Sequence, residues 1–131
     1  YGRRAEQADA EHLAAHGYVI RDRNWSPSGG HVELDIVAQQ GRTLVFVEVK
    51  ARADGYVDPV YAVNAAKIAR VCRAANAYVQ ALPPGERDVL EPRFDVIAIV
   101  GDAPHWQIEH LEDAFIPPVS PAYRRGPGKG F

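Results

Sequence analysis

The chain has 131 residues, 47% hydrophobic and 24% charged, with a formal net charge of −2. These values fit one ordinary globular domain with a normal core, and they exclude a protein that coats nucleic acid through bulk positive charge. No run of about 20 apolar residues suggests a transmembrane helix, and the single cysteine, Cys72, excludes an intrachain disulfide.

One cysteine also fits a reducing cytoplasm, the expected compartment. Tyr1-Gly2-Arg3-Arg4 shows neither an initiator methionine nor an apolar signal core, so a missing leader is expected. Charge is unevenly distributed: residues 1–80 hold ten Lys/Arg against nine Asp/Glu, and residues 81–131 hold five against eight. With its acids occupied by metal, the first part would present a moderately positive surface to phosphates, with Arg52, Lys67, Arg70 and Arg73 among its cations. A solvated face of mixed charge is the plain alternative.

In chain order, the Ala, Glu and Leu content from about Arg4 to His16 predicts a helix, closed by Gly17. Glu6 near its start is explained by the helix dipole alone. His12 and His16 have the i, i+4 spacing that can seat a metal, yet no cysteine or third clustered histidine accompanies them in the sequence. Tyr18-Val19-Ile20 reads as a short strand, and Arg21 to Trp25 lead into the loop Ser26-Pro27-Ser28-Gly29-Gly30.

Val32 to Val37 reads as a strand with Glu33 and Asp35 on one face and Val32, Leu34 and Ile36 on the other. After the link Gln39-Gln40-Gly41-Arg42, whose glycine suits a tight turn, comes Phe46-Val47-Glu48-Val49-Lys50. Here Val45, Val47 and Val49 point one way and Phe46, Glu48 and Lys50 the other. If the charged faces of the two strands coincide, Glu33, Asp35, Glu48 and Lys50 converge. Several ionised carboxylates together cost free energy unless a cation, a proton or a lysine compensates. An oxygen-rich, thiol-poor cluster suits a hard ion, Mg²⁺ or Mn²⁺, with carboxylates and a backbone carbonyl as ligands. A neighbouring lysine would then orient an attacking water or balance charge on a phosphate. The plain alternative is a salt-bridged pair of half-exposed strands.

Beyond a polar segment, Ala51 to Asp58, the spacing of Val63, Ala66, Ile68, Val71, Cys72, Ala75, Tyr78, Val79 and Leu82 predicts the longest helix, one face packed on a sheet. Cys72 reads as a small buried hydrophobe, and Lys67, Arg70 and Arg73 fall off the apolar stripe. Pro83-Pro84-Gly85 ends this helix. Arg93 to Val100 is an apolar strand near the sheet centre, with Asp95 a weaker candidate at its mouth. A turn over Gly101 to Pro104 leads to Trp106–Leu111, which alternates as an edge strand would and whose His110 is expected to be structural. From Ile116 the chain is a Pro- and Gly-rich basic tail, expected to be flexible. Its Gly126-Pro127-Gly128-Lys129-Gly130 lacks the strand, helix and spacing of a phosphate loop. The layout is α/β, a central sheet flanked by helices.

An acid, then an Asp, then Glu-x-Lys on consecutive strands resembles the PD-(D/E)XK nuclease superfamily. More narrowly, Gly2-Arg3-Arg4-Ala5-Glu6, Gly17-Tyr18, Asn24-Trp25, Glu33-Leu34-Asp35-Ile36-Val37, Val45 to Arg52, Ala62-Val63 with Lys67, and Arg93-Phe94-Asp95-Val96 resemble the YraN-like bacterial family, grouped with Holliday junction resolvase-like endonucleases. The resemblance runs from about Gly2 to Phe115, a nuclease-like domain over 1–115, and leaves 116–131 outside.

The resemblance implies a restriction endonuclease-like core with a mixed sheet and a Mg²⁺- or Mn²⁺-dependent endonuclease acting on DNA, at branched recombination or repair intermediates. It implies Asp35 and Glu48 as metal ligands with the Val49 carbonyl, and Lys50 as the residue that positions water and stabilises the phosphate. It also implies Glu6 as the helix acid facing the site and Glu33 as an outer or second-metal acid. Leu34 stands where the superfamily has Pro, and Val32 beside His31 where the narrower family usually has Gly; neither removes a ligand. Cutting a junction symmetrically calls for two sites, hence a homodimer, and recombination or repair proteins are expected partners. The alternative is a non-catalytic DNA-binding or accessory subunit of a DNA-processing assembly, and a third reading is an interaction module with a purely structural ion network. No membrane role is expected.

Overall fold

The first helix stops because the chain supplies a residue that tolerates a left-handed turn where the backbone needs one. In the computed structural model, which describes residues 3–29, 31–52, 65–101 and 105–114 and their side chains apart from those of 3–6 and 51–52, α1 spans Arg3–Ala15. Gly17 follows at φ 84°. The Tyr18 N–H donates to the Leu13 carbonyl (2.9 Å) and the Gly17 N–H to that of Ala14 (3.2 Å), satisfying carbonyls the helix end would otherwise leave open. Leu13 and Tyr18 are both buried, so this turn also carries the apolar contact that usually accompanies it.

The remaining elements are β1 (Val19–Trp25), β2 (Leu34–Gln40), β3 (Thr43–Arg52), α2 (Ala65–Gln80), the single turn α3 (Pro84–Arg87), β4 (Glu91–Val100) and β5 (Gln107–Leu111). They make one five-stranded sheet in the order β1-β2-β3-β4-β5. All neighbouring pairs are antiparallel except β3 and β4, which run parallel. The architecture is therefore a mixed sheet flanked by helices, an α/β fold. Gln40 pairs with Thr43, so Gly41 (φ 60°) and Arg42 form the two-residue turn that the glycine predicts. As expected, β5 lies at an edge.

Two apolar layers hold the helices to opposite faces. On one, Val71, Ala74, Ala75, Tyr78 and Val79 of α2 pack on Leu34, Val37, Leu44, Phe46 and Phe94. On the other, Leu13 of α1 and Tyr18 pack on Ile36, Ala38, Val45, Val47, Ile97 and Ile99. The alternation predicted for β3 is observed, with Val45 and Val47 toward α1 and Phe46 toward α2.

The alternation predicted for β2 is not. Leu34 lies on the α2 face and Ile36 on the α1 face, although two residues apart on a regular strand share a face. The cause lies in the paired strand, where Asn24 has φ 52°. Trp25, opposite Leu34, joins the α2 layer, whereas Arg23, opposite Ile36, reaches Asp9 of α1. A left-handed residue re-aims the strand, and the two paired strands change sides together. β1 is also longer than predicted, because Arg21 to Trp25 continue it with a register shift between Ile20 and Asp22.

The side chains of Glu6 and Arg52, residues 53–64 with the start predicted for the long helix, the turn at 102–104 and the tail at 116–131 lie outside the described residues. Among the described residues no helix is long and apolar enough to cross a membrane.

Candidate active site

Pairing between β2 and β3 ends at Ile36 and Val47. Beyond that point the strands no longer satisfy one another's backbone, and a side chain takes over: the Val49 N–H donates to Asp35 Oδ2 at 2.9 Å. The backbone group that β2 no longer meets therefore orients the Asp35 carboxylate against β3.

Glu48 is the next residue back along β3 and only 5% exposed. Lys67 of α2 places Nζ 3.0 Å from Glu48 Oε2, and Lys50 Nζ lies 4.0 Å from the same oxygen. Burial first, and then the neighbouring Asp35 charge, push the Glu48 carboxyl above its ordinary range, while Lys67 and Lys50 oppose the rise. Of the four residues predicted to converge, Asp35, Glu48 and Lys50 come together beside the Val49 backbone, and Glu33 does not join them.

Other predicted residues fall elsewhere. Glu33, half-buried at the entry to β2, gives its N–H to the Trp25 carbonyl, and no hydrogen bond or ion pair joins its carboxylate to Asp35 or Glu48 among the described residues. Arg70 and Arg73 are exposed on α2. Lys67, grouped with them in the sequence as a phosphate-facing cation, instead reaches into the acid cluster.

The fold adds Asp9, which the sequence pattern did not single out. It lies one turn before Leu13 on the inward stripe of α1 and has no exposed surface. Its Oδ1 accepts a bond from Arg23 at 3.2 Å, while Oδ2 is buried with no hydrogen-bond partner among the described residues. Burial raises its carboxyl to about 6, against the pull of Arg23 and with a further push from Asp35. Asp9, Arg23, Asn24, Asp35, Ile36 and Val49 line one small open cleft. Asp35 therefore stands electrostatically between two buried acids, Asp9 on the α1 side and Glu48 on the α2 side. The one available signal was an aspartate at the position four before Leu13 in an otherwise Ala-rich stripe.

Asp95, the weaker candidate, lies in a different network. It has no exposed surface and accepts from Arg93 Nε (2.9 Å) and a terminal Arg93 nitrogen (2.7 Å), from His110 Nε2 (2.7 Å) and from the Asp113 N–H (3.0 Å). Burial alone would raise its carboxyl, but His110, Arg93 and the Asp113 N–H hold it below the ordinary range. Cys72 is buried, and burial pushes its thiol up to about 11, as befits an inert core residue.

A hard divalent cation is the group implied for the acid cluster. Among the described residues no three His, Cys, Asp or Glu side chains already surround one point, and the oxygen donors that the resemblance implies are the Asp35 and Glu48 carboxylates with the Val49 carbonyl. Such a set would suit Mg²⁺ or Mn²⁺ in donor type, and a cation there would oppose the rise that burial and the Asp35 charge impose on Glu48.

Fold and site together define an α/β protein with an acid–lysine cluster where two antiparallel strands of a mixed sheet part. The sequence narrows this further: the model of the Uncharacterised protein family UPF0102 matches residues 5–99, and the chain belongs to that family, the YraN-like family its motifs resemble. Similar proteins include a UPF0102 protein of Bacteroides thetaiotaomicron, 43% identical over 119 residues that cover 90% of this chain and 93% of the relative. One of Rhodococcus opacus is 42% identical over 116 residues, covering 87% and 94%. One of Myxococcus xanthus is 39% identical over 116 residues, covering 88% of each.

Proposed function

We propose that this protein is a metal-dependent endonuclease with a restriction endonuclease-like core, hydrolysing DNA phosphodiesters at branched recombination or repair intermediates. The observation that carries the reading is the meeting of Asp35, Glu48 and Lys50 where β2 and β3 separate. Asp35, Glu48 and the Val49 carbonyl would hold Mg²⁺ or Mn²⁺, which when bound lowers the pKa of water and neutralises phosphate oxygens. The protein's own part is positional. The Val49 N–H fixes the Asp35 carboxylate, burial holds Glu48, and Lys50 orients the water or meets the charge that grows on the phosphate. Lys67 keeps Glu48 neutralised in the absence of a cation. Arg70 and Arg73, with Arg52, would extend phosphate contact along the approaching DNA.

One observation favours a second reading, a non-catalytic DNA-binding or accessory subunit: the Lys67 ammonium already supplies Glu48 with the positive charge a metal would bring. Calorimetric titration of the wild type and Asp35→Ala with Mn²⁺, followed by incubation with labelled four-way junctions and single strands, separates the two. Binding and cleavage lost together in the variant support the nuclease, with Glu48→Ala and Lys50→Ala expected to abolish cleavage while remaining folded. No Mn²⁺ uptake by the wild type refutes it. DNA affinity that survives these changes but falls with Arg70 or Arg73 substitution favours the binding subunit.

A further inference from the structure

The i, i+4 histidine pair at the C-terminal end of α1, His16 lying one residue past it, acquires a third ring from the far end of the chain. His12 and His16 stand on successive turns with ring centroids 4.4 Å apart. His110 arrives from β5, 98 residues later, with Nδ1 3.0 Å from His12 Nε2 and ring centroids 5.2 Å apart. The other nitrogen of His110, Nε2, lies 2.7 Å from Asp95 Oδ2. An ionised carboxylate only accepts, so neutral His110 carries its hydrogen on Nε2 and turns the Nδ1 lone pair toward His12. A carboxylate behind an imidazole is the arrangement that fixes the tautomer and raises the basicity of metal-ligating histidines. Burial first, and then the His110 and His16 rings, disfavour the charged form of His12, which favours a neutral ring able to ligate.

The rings do not yet form a cage. His16 Nδ1 is 2.8 Å from the His12 carbonyl oxygen, and His12 and His110 share a hydrogen bond. Two imidazole nitrogens bound tetrahedrally at about 2.0–2.1 Å are roughly 3.3 Å apart. The 3.0 Å pair is close to that separation, but its hydrogen bond points the two nitrogens at each other, so both rings must tilt to converge on an ion and exposed His16 must rotate its side chain. The hydrogen on His12 Nε2 moves to its Nδ1 through solvent, so the ligand stays neutral.

We propose that His12, His16 and His110 form a site for a borderline divalent transition metal of the Zn²⁺ class, water completing the tetrahedron, that clamps α1 to edge strand β5. Three imidazoles favour such ions over Mg²⁺, which makes this site chemically separate from the acid cluster and independent of the nuclease reading.

The test uses the full chain, metal-stripped and carrying Asp35→Asn so that the acid cluster is disabled. It is titrated with Co²⁺, followed by ligand-field absorption in the visible, and with Zn²⁺ by calorimetry. One equivalent of tetrahedral Co²⁺, displaced by Zn²⁺, is expected. His16→Ala and His110→Gln in that background should each weaken binding at least about tenfold, since losing even an outer partner of a ligand costs about 10–100-fold. His16 is exposed, so its variant reports on the site even if His110→Gln disturbs folding. No tetrahedral Co²⁺ spectrum, or an affinity untouched by His16→Ala, overturns the proposal and leaves the histidines as a hydrogen-bonded relay.

Discussion

Asp9 should make the protein less stable as pH rises through the mildly acidic range, the reverse of what a carboxylate held below its ordinary range by its partners does. Its carboxyl is raised from the ordinary 3.8 to about 6 by burial, which Arg23 only partly offsets. The folded state then holds a proton that the unfolded state has released. The stability due to neutral Asp9 is fully present below pH 3.8 and is lost as pH climbs through about 6. At 1.36 kcal/mol per pKa unit the loss amounts to about 3 kcal/mol, a large share of a domain's margin. Asp9→Asn keeps the shape of the neutral acid and cannot ionise. Urea unfolding of both proteins at a series of pH values, in chelator, should show Asp9→Asn gaining on the wild type by about 3 kcal/mol between pH 3.8 and 7, with little change in slope. A difference that stays flat with pH, or a wild type that gains on the variant, would refute the claim that Asp9 is buried against its own charge.

Asp95 should behave in the opposite sense. Its carboxyl is held below the ordinary range, so its contribution is present above pH 3.8 and lost as acid protonates the folded form. Asp95→Asn, which leaves Arg93 without its buried counter-charge, should cost about 3–5 kcal/mol by urea unfolding at neutral pH. Phe46→Ala should cost a similar about 3–5 kcal/mol, because the ring stacks on Phe94 at 5.4 Å and meets Tyr78 edge-on at 5.9 Å in the α2 layer. Lys67→Met removes the ammonium 3.0 Å from Glu48, so the Glu48 carboxyl should titrate at a still higher pH in carboxyl-carbon NMR.

What could be read from the sequence was whatever depends on near neighbours. Gly17 after an Ala-rich run, Gly41 between two apolar segments and the strict alternation of Val45 to Lys50 each have a local physical cause, and each is observed. The candidates Glu48 and Lys50 follow from the same alternation, whereas Asp35 was read from a β2 alternation that the structure does not keep and meets them where the strand pairing ends. Illegible features depend on distant partners. Lys67 reads as a surface cation until the register of α2 against β3 brings it to Glu48. His110 reads as an isolated structural ring until β4 and β5 carry it under α1. Leu34 and Ile36 defied the two-residue period because Asn24, on another strand, adopts a conformation that no hydrophobic pattern encodes. The charged run Arg21 to Asn24 hid the rest of β1, since its side chains are satisfied by pairs such as Arg21 with Glu86 at 2.7 Å rather than by burial.

The single parallel pairing also imposes a delay on the growing chain. Every β3 residue from Thr43 to Arg52 waits for a β4 partner 48 positions further on. At about 5–20 residues per second, that interval is roughly 2–10 s of synthesis. Throughout it β3 has a finished hairpin on one side and an open apolar edge, Leu44 to Val47, on the other. A strand in that condition is a template for another chain. A ribosomal pause within α2, or a truncation before Glu91, is therefore expected to produce aggregation rather than a merely shortened domain.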